Sequence, residues 1–217
     1  IERWPPEPGA RVRVPSGVQK GKRPECSKGF TGGQEMLEVR WHGRGGLGAV
    51  TSAELVAHAA ISEGKYAQSF PSFGPERRGA PVLAFLRIND EFIRVRTNIY
   101  EPDIVVVLDP RLLHVVDVAS GLNKEGKIII NSRKSPAELK SEFDFRWPVA
   151  AVNATMIAKE TLGLVITNTA MIGAFLKVAE VVKMDSLVEQ LRERFGRRAE
   201  ANIEAMKRAY HETTLKE

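Results

Sequence analysis

The apolar positions of this chain settle into regular periods from residue 37 onward. Over residues 37–42, Leu37, Val39 and Trp41 alternate with Glu38, Arg40 and His42, which predicts a half-buried strand. Val50, Ala53, Ala57, Ala60 and Ile61 then recur at helical spacing, so strand, glycine-rich turn and helix follow in order. Residues 65–70 read as a short second strand. Residues 82–88 and 92–98 flank the turn pair Asn89-Asp90 and predict an antiparallel hairpin with Arg94 and Arg96 alternating outward. The unbroken apolar run 104–108 predicts a central strand covered on both faces, ending in Asp109-Pro110 before a helix-like stretch over 111–119. Residues 127–131 and 147–152 predict further strands, separated by a helical turn after Pro136.

Helices dominate the end of the chain. Asn153 is placed to cap a helix running through Leu162, Thr169 to start another through Val182, and Asp185 or Ser186 to start a third, with Ser186 and Glu189 at capping-box spacing. Leu187, Leu191, Phe195, Ala199, Ile203, Met206 and Tyr210 form one apolar stripe, interrupted at Gly196 and bordered by Arg192, Arg194, Arg197, Arg198, Lys207 and Arg208. This order predicts a three-layer α/β/α domain over 37–217, built on a mostly parallel mixed sheet.

Residues 1–36 have no such period. They are rich in proline, glycine and basic residues, a composition unable to bury enough surface to fold alone. They read as a solvated tail or linker, or, since Trp4, Val12, Val14 and Phe30 are apolar anchors, as an extended arm ordered along a partner. The first residue is Ile1, consistent with processing or a longer parent polypeptide.

Composition narrows the chemistry. The 32 basic residues are scattered among 27 acidic ones, so the formal charge of +5 gives no strong reason to expect a nucleic-acid partner. A single cysteine, Cys26, excludes an internal disulfide framework, and also an iron-sulfur cluster or structural zinc site made by this chain alone. No apolar run approaches the roughly 20 residues needed to span a bilayer, so a cytoplasmic setting without membrane contact is expected.

The most informative loop is His42-Gly43-Arg44-Gly45-Gly46-Leu47-Gly48. Its glycines permit positive φ and close approach, and the next helix offers unpaired amides at its positive end, so Gly43, Arg44, Gly45, Gly46 and Gly48 form a candidate cofactor or anion site. Gly43, Gly45 and Gly48 also satisfy the dinucleotide pattern G-x-G-x-x-G. The acid expected at the end of the second strand is missing from Gln68-Ser69-Phe70-Pro71, while Arg44 could accept a phosphate. A free-standing NADP-binding oxidoreductase is therefore the competing reading.

A second contact loop holds Glu76, Arg77, Arg78 and Gly79 between Pro71, Pro75 and Pro81. Its stiffness lowers the entropy lost on contact, and paired guanidiniums can clamp carboxylate or phosphate oxygens. His42, His58, His114 and His211 show no metal-ligand spacing and read as structural. Ser52 and Thr51 lack an evident base, so no catalytic residue is expected in this chain.

These motifs together resemble the gamma chain of the 2-oxoacid:ferredoxin oxidoreductases, the pyruvate synthase family. The likeness rests on residues 38–50, then Gly64-Lys65-Tyr66 and Phe70-Pro71, then 73–81. It continues through Pro102-Asp103 and Asn168-Thr169-Ala170-Met171-Ile172-Gly173-Ala174 to the helical end near Tyr210. The resemblance implies a cytoplasmic hetero-oligomer of anaerobic metabolism, with alpha, beta and delta partners, that oxidatively decarboxylates a 2-oxo acid and reduces ferredoxin. It further implies thiamine diphosphate and magnesium between alpha and beta chains, 4Fe-4S clusters in beta and delta chains, and coenzyme A as the usual acyl acceptor. The gamma chain is then non-catalytic and shapes the coenzyme A approach. Leu47 stands where the family commonly carries glutamine, and the arm before Leu37 extends beyond the usual gamma start, where it could wrap a neighbour or join a delta-like segment. These departures leave open an unusual substrate such as oxalate, oxidised without coenzyme A.

Overall fold

A computed structural model describes residues 36–72 and 80–216. The expected arm, apart from Met36, and the contact loop carrying Glu76, Arg77, Arg78 and Gly79 lie outside the described residues. The elements follow as β1 (Leu37–Arg44), α1 (Ala49–Ser62), β2 (Tyr66–Ser72), β3 (Pro81–Asn89), β4 (Ile104–Val107), a 3-10 turn (Pro110–His114), β5 (Lys127–Asn131), α2 (Pro136–Phe143), β6 (Val149–Val152), α3 (Ala154–Leu162), α4 (Asn168–Ala179), α5 (Met184–Phe195), a second 3-10 turn (Gly196–Arg198), α6 (Ala199–Glu212) and β7 (Thr214–Lys216).

The strands form one sheet in the order β2-β3-β1-β4-β5-β6-β7. β1, β4, β5 and β6 run parallel through its centre, while β3 and β2 on one side and β7 on the other are antiparallel. Alternation along the parallel strands separates two apolar layers. Val39, Trp41, Val106, Ile129 and Ala150 face the larger core with α1 and α3–α6. Val105, Val107, Ile128, Ile130, Val149 and Ala151 face a smaller core closed by Leu112, Val118, Leu122 and Leu139. The expected three-layer α/β/α architecture is present, with most helices on one face.

Local capping explains several boundaries. Ser135 and Glu138 form a reciprocal capping box at α2, and the Asn153 side chain accepts from Met156 N at the start of α3. α5 differs from expectation: it starts at Met184 after an extended Lys183, whose amide donates to Glu63 Oε1 at 2.6 Å, so Ser186 lies inside the first turn rather than capping it. The stretch after Asp109 forms only a 3-10 turn. Beyond it, Val118 and Ser120 accept at their carbonyl oxygens from the Arg40 guanidinium at 2.9 and 2.6 Å, which ties this connection to β1.

The hairpin expected across Asn89-Asp90 is not formed. β3 already pairs with β2 on one edge and β1 on the other, leaving neither edge of β3 for residues 92–98, which carry no regular structure. The antiparallel hairpin is β2–β3 instead.

Candidate functional site at the carboxyl ends of the parallel strands

β1 and β4 lie side by side and parallel, yet their connections diverge. β1 leads to α1 on the larger core, and β4 to the 3-10 turn whose Leu112 lies in the smaller core. Such a reversal opens a crevice beyond the strand ends, where ligands of α/β sheets bind. The glycine loop and Asp109–Arg111 meet at these strand ends, joined by the Arg44–Asp109 ion pair.

The loop has little room. A β-carbon on Gly43 would lie 2.8 Å from Ala49 Cβ, and one on Gly48 would lie 2.9 Å from Asn168 Cβ. Gly46 and Gly48 adopt φ of 95° and 82°, a region costly for other residues. Leu47 N donates to Arg44 O at 3.0 Å and closes the turn, while Gly45 N reaches Ala80 O at 3.3 Å. Gly45 and Gly46 are exposed. Leu47 packs partly against the larger core.

α1 begins at this loop without a side-chain cap and without an acidic residue in its first turn. Its opening amides therefore retain their capacity for an anion. Ser52 Oγ donates to Gly48 O at 3.1 Å and lies 3.3 Å from Asn168 O, which joins the loop to the start of α4.

Arg44 is held rather than loose: its Nε lies 2.8 Å from Asp109 Oδ2, which also pairs with Arg111 Nη2 at 2.9 Å. Burial pushes the Asp109 carboxyl up, but hydrogen bonds from the Arg111 side chain and amide, with the charges of Arg111 and Arg44, outweigh it and hold the group below the usual carboxylate range. Asn131, at the end of β5, donates to Leu108 O and Thr155 Oγ1 and accepts from Thr155 N. These bonds tie together the ends of β4 and β5 and the start of α3.

Sequence reasoning did not single out Asp109, Asn131, Thr167 or Asn168 as site residues. Thr167 Oγ1 and Asn168 Oδ1 are buried with no hydrogen-bond partner among the described residues, a costly condition that a bound donor would relieve. Beside Asn168 opens a cleft of about 330 Å³ lined by Leu164, Ile166, Phe195, Arg198 and Asn202. The signal for Asn168 in the sequence was its place just before an apolar helix, and its contact with Gly48 comes only from the fold.

His42, beside the loop, is 3% exposed, and its Nε2 accepts from Arg40 Nε at 3.0 Å. Burial, helped by the Arg40 charge, pushes its pKa down to about 3, so it stays neutral and cannot shuttle protons to a ligand. His58, His114 and His211 are exposed, and among the described residues no cluster of three or more histidine, cysteine or acidic side chains is arranged for a metal ion. The site can hold an anion and accept hydrogen bonds. It presents no activated nucleophile among the described residues.

A βαβ dinucleotide fold also needs a parallel strand after α1. Here β2 pairs only with β3, antiparallel and at the edge of the sheet, so the competing NADP reading lacks its structural unit.

The sequence pattern of the pyruvate ferredoxin/flavodoxin oxidoreductase family matches residues 38–212. The chain belongs to this family. The "Pyruvate/ketoisovalerate oxidoreductases common subunit gamma" of Pyrococcus furiosus is 52% identical over 182 residues, covering 83% of this chain and 98% of the relative. Pyruvate synthase subunit PorC of Methanothermobacter marburgensis is 49% identical over 176 residues, covering 81% and 96%. Among solved structures, pyruvate oxidoreductase subunit PORC of Thermotoga maritima superposes with a TM-score of 0.77 at 34% identity, covering 85% of this chain and all of that one. The resemblance to a gamma chain seen in the sequence is borne out.

Proposed function

We propose that this chain is the gamma subunit of a thiamine-diphosphate-dependent 2-oxoacid:ferredoxin oxidoreductase that decarboxylates pyruvate oxidatively and reduces ferredoxin. In this reading it is non-catalytic. Alpha, beta and delta partners supply thiamine diphosphate, magnesium and the 4Fe-4S clusters, since a chain with one cysteine cannot ligate such a cluster alone. The names of its relatives favour pyruvate over oxalate. No helix among the described residues is long and apolar enough to cross a membrane, and we place the assembly in the cytoplasm.

The observation that carries the reading for this chain is the uncapped start of α1 at Gly48, beside which the Asn168 side-chain amide nitrogen lies. Gly43, Arg44, Gly45, Gly46 and Gly48 line the contact with the phosphates of coenzyme A, which meet the open amides at the start of α1, Arg44 being oriented by Asp109. Coenzyme A is the acyl acceptor, and this chain binds and orients it at the boundary with the thiamine-bearing subunits. Glu76, Arg77, Arg78 and Gly79 form a second contact at that boundary.

The test is purification of the native assembly through this chain, followed by pyruvate-dependent ferredoxin reduction with and without coenzyme A. Turnover that needs coenzyme A, in a complex containing thiamine diphosphate and iron-sulfur subunits, is expected. A chain that purifies as a stable monomer from its own cells, without thiamine-binding subunits, overturns the reading.

A further inference from the structure

The connection from β3 to β4 is far longer than its task. The two strands flank β1, so they stand about 10 Å apart at a strand spacing of about 4.8 Å. Fourteen residues, 90–103, join them. Surplus length of this kind in a compact domain commonly serves contact rather than connectivity.

The segment is anchored nonetheless. Ile93 and Ile99 are 4% and 2% exposed, and Gln68 Nε2 donates to Ile93 O at 3.1 Å. Between these anchors, residues 94–98 are all exposed. Their backbone amides and carbonyls make no hydrogen bond with any described residue. Arg94 and Arg96 form no ion pair with a described residue either.

The residue types are those of a strand. Phe92-Ile93-Arg94-Val95-Arg96-Thr97 combines aromatic and β-branched side chains with an apolar/polar alternation, which is why the sequence alone predicts a strand here. Within this domain the strand has no ladder, because both edges of β3 are taken. Exposed aromatic residues bracket it: Phe92 at 63% exposure stacks edge-on against Tyr66, and Tyr100 is 71% exposed. Tyr66 pairs with Asn89 and β4 begins at Ile104, beside Val39, so this surface lies at the end of the sheet opposite the glycine loop. Aromatic residues with unpaired arginines make up the usual composition of a protein interface core.

We infer that residues 92–98 are a preformed half of a subunit interface, completed by an extended segment of another subunit of the same oxidoreductase that pairs with their backbone and sets carboxylates against Arg94 and Arg96. The anchors at Ile93 and Ile99 tether both ends of the segment before contact, which reduces the ordering cost of strand addition. The guanidiniums select an acidic strand and fix its register. The inference rests on the chain being a subunit of an assembly, and adds where that assembly is joined. The glycine loop is thereby left to a ligand at the other end of the sheet.

The experiment compares amide hydrogen exchange of residues 93–98 in the separated chain and in the intact complex purified through it. Exchange slowed on the order of tenfold or more in the complex is expected. Val95→Pro, which removes one ladder donor where the isolated domain uses none, is expected to leave the thermal stability of the separated chain unchanged while lowering recovery of the complex. Arg94→Glu with Arg96→Glu is expected to do the same. An intact, active complex in which these amides exchange as fast as in the separated chain overturns the inference while leaving the proposed function standing. Equal protection in a homodimer of the separated chain assigns the surface to a second copy and also overturns it. Failure to recover any complex removes both readings.

Discussion

Asn168 stands against the α-carbon of Gly48, so that a β-carbon added there would meet Asn168 Cβ at 2.9 Å and its amide nitrogen at 3.1 Å. This contact brings the starts of α1 and α4 together and makes one surface of two distant segments. Gly48→Ala adds a clash to an unfavourable φ of 82° and is expected to cost about 2–3 kcal/mol. Gly46→Ala, with φ of 95° but nothing within 4 Å, isolates the conformational part at about 1–2 kcal/mol. Urea unfolding of both variants checks the difference. Equal costs would show that the contact with Asn168 is not restrictive.

Gly173 sits inside α4, where exchange for alanine would ordinarily stabilise a helix by about 1 kcal/mol. A β-carbon here would fall 2.0 Å from Met206 O on α6. Backbone cannot yield as a side chain does, so Gly173→Ala is expected to destabilise by about 2–4 kcal/mol. Thermal unfolding that shifts upward would refute this packing of α4 on α6.

His42 supplies a pH dependence. Its folded pKa lies at about 3, below the ordinary value of 6.5, so in that interval the unfolded chain binds a proton that the folded chain refuses. Stability is therefore full above the unfolded value and falls as pH descends toward the folded one, by up to about 1.4 kcal/mol per pH unit from this group. Denaturant midpoints at pH 7.5, 6 and 5 should show the decline, and His42→Gln should flatten it. A parallel decline in the variant would assign the effect to other groups.

Asp109→Asn keeps an acceptor for the Arg111 amide but removes the charge shared by Arg44 and Arg111. A loss of about 1–2 kcal/mol at pH 7 is expected, modest because Arg111 is largely exposed. The native carboxyl is held below its ordinary range, so its contribution is present above the unfolded pKa and disappears as pH falls through the folded one. The gap between native and variant proteins should accordingly close in acid. Pyrophosphate titration should show tighter binding to the variant, whose arginines have lost their internal counter-charge.

Arg77→Ala with Arg78→Ala removes charge-assisted contacts from the proline-stiffened loop. The domain should fold normally, while assembly or acyl transfer to coenzyme A weakens about tenfold or more. Subunit association by sedimentation and turnover of the assembled enzyme report the two effects separately. Normal values for both would remove this loop from the boundary.

Elements whose signal is local were legible in the chain. The β-branched run of β4, the Ser135–Glu138 box and the Asn153 cap depend on neighbours within a few residues, and the structure has each in place. Residues 92–98 carry an equally good local signal for a strand. They do not pair with β3 as the local signal predicts, because β1 and β2 take both of its edges. The stretch after Asp109 is likewise shaped by distant contacts, with Val118 O and Ser120 O accepting from Arg40, 78 and 80 residues away.

By itself, the sequence determined the layered α/β class, the glycine turn between β1 and α1, and the family, since these follow from periodicity and contiguous motifs. Tertiary structure alone decided that Asn168 closes the glycine loop, that Asp109 orients Arg44, and that β2 is an antiparallel edge rather than part of a dinucleotide fold. Strand order and contacts across more than a hundred residues are set by which surfaces bury each other, and no short stretch of chain records that competition.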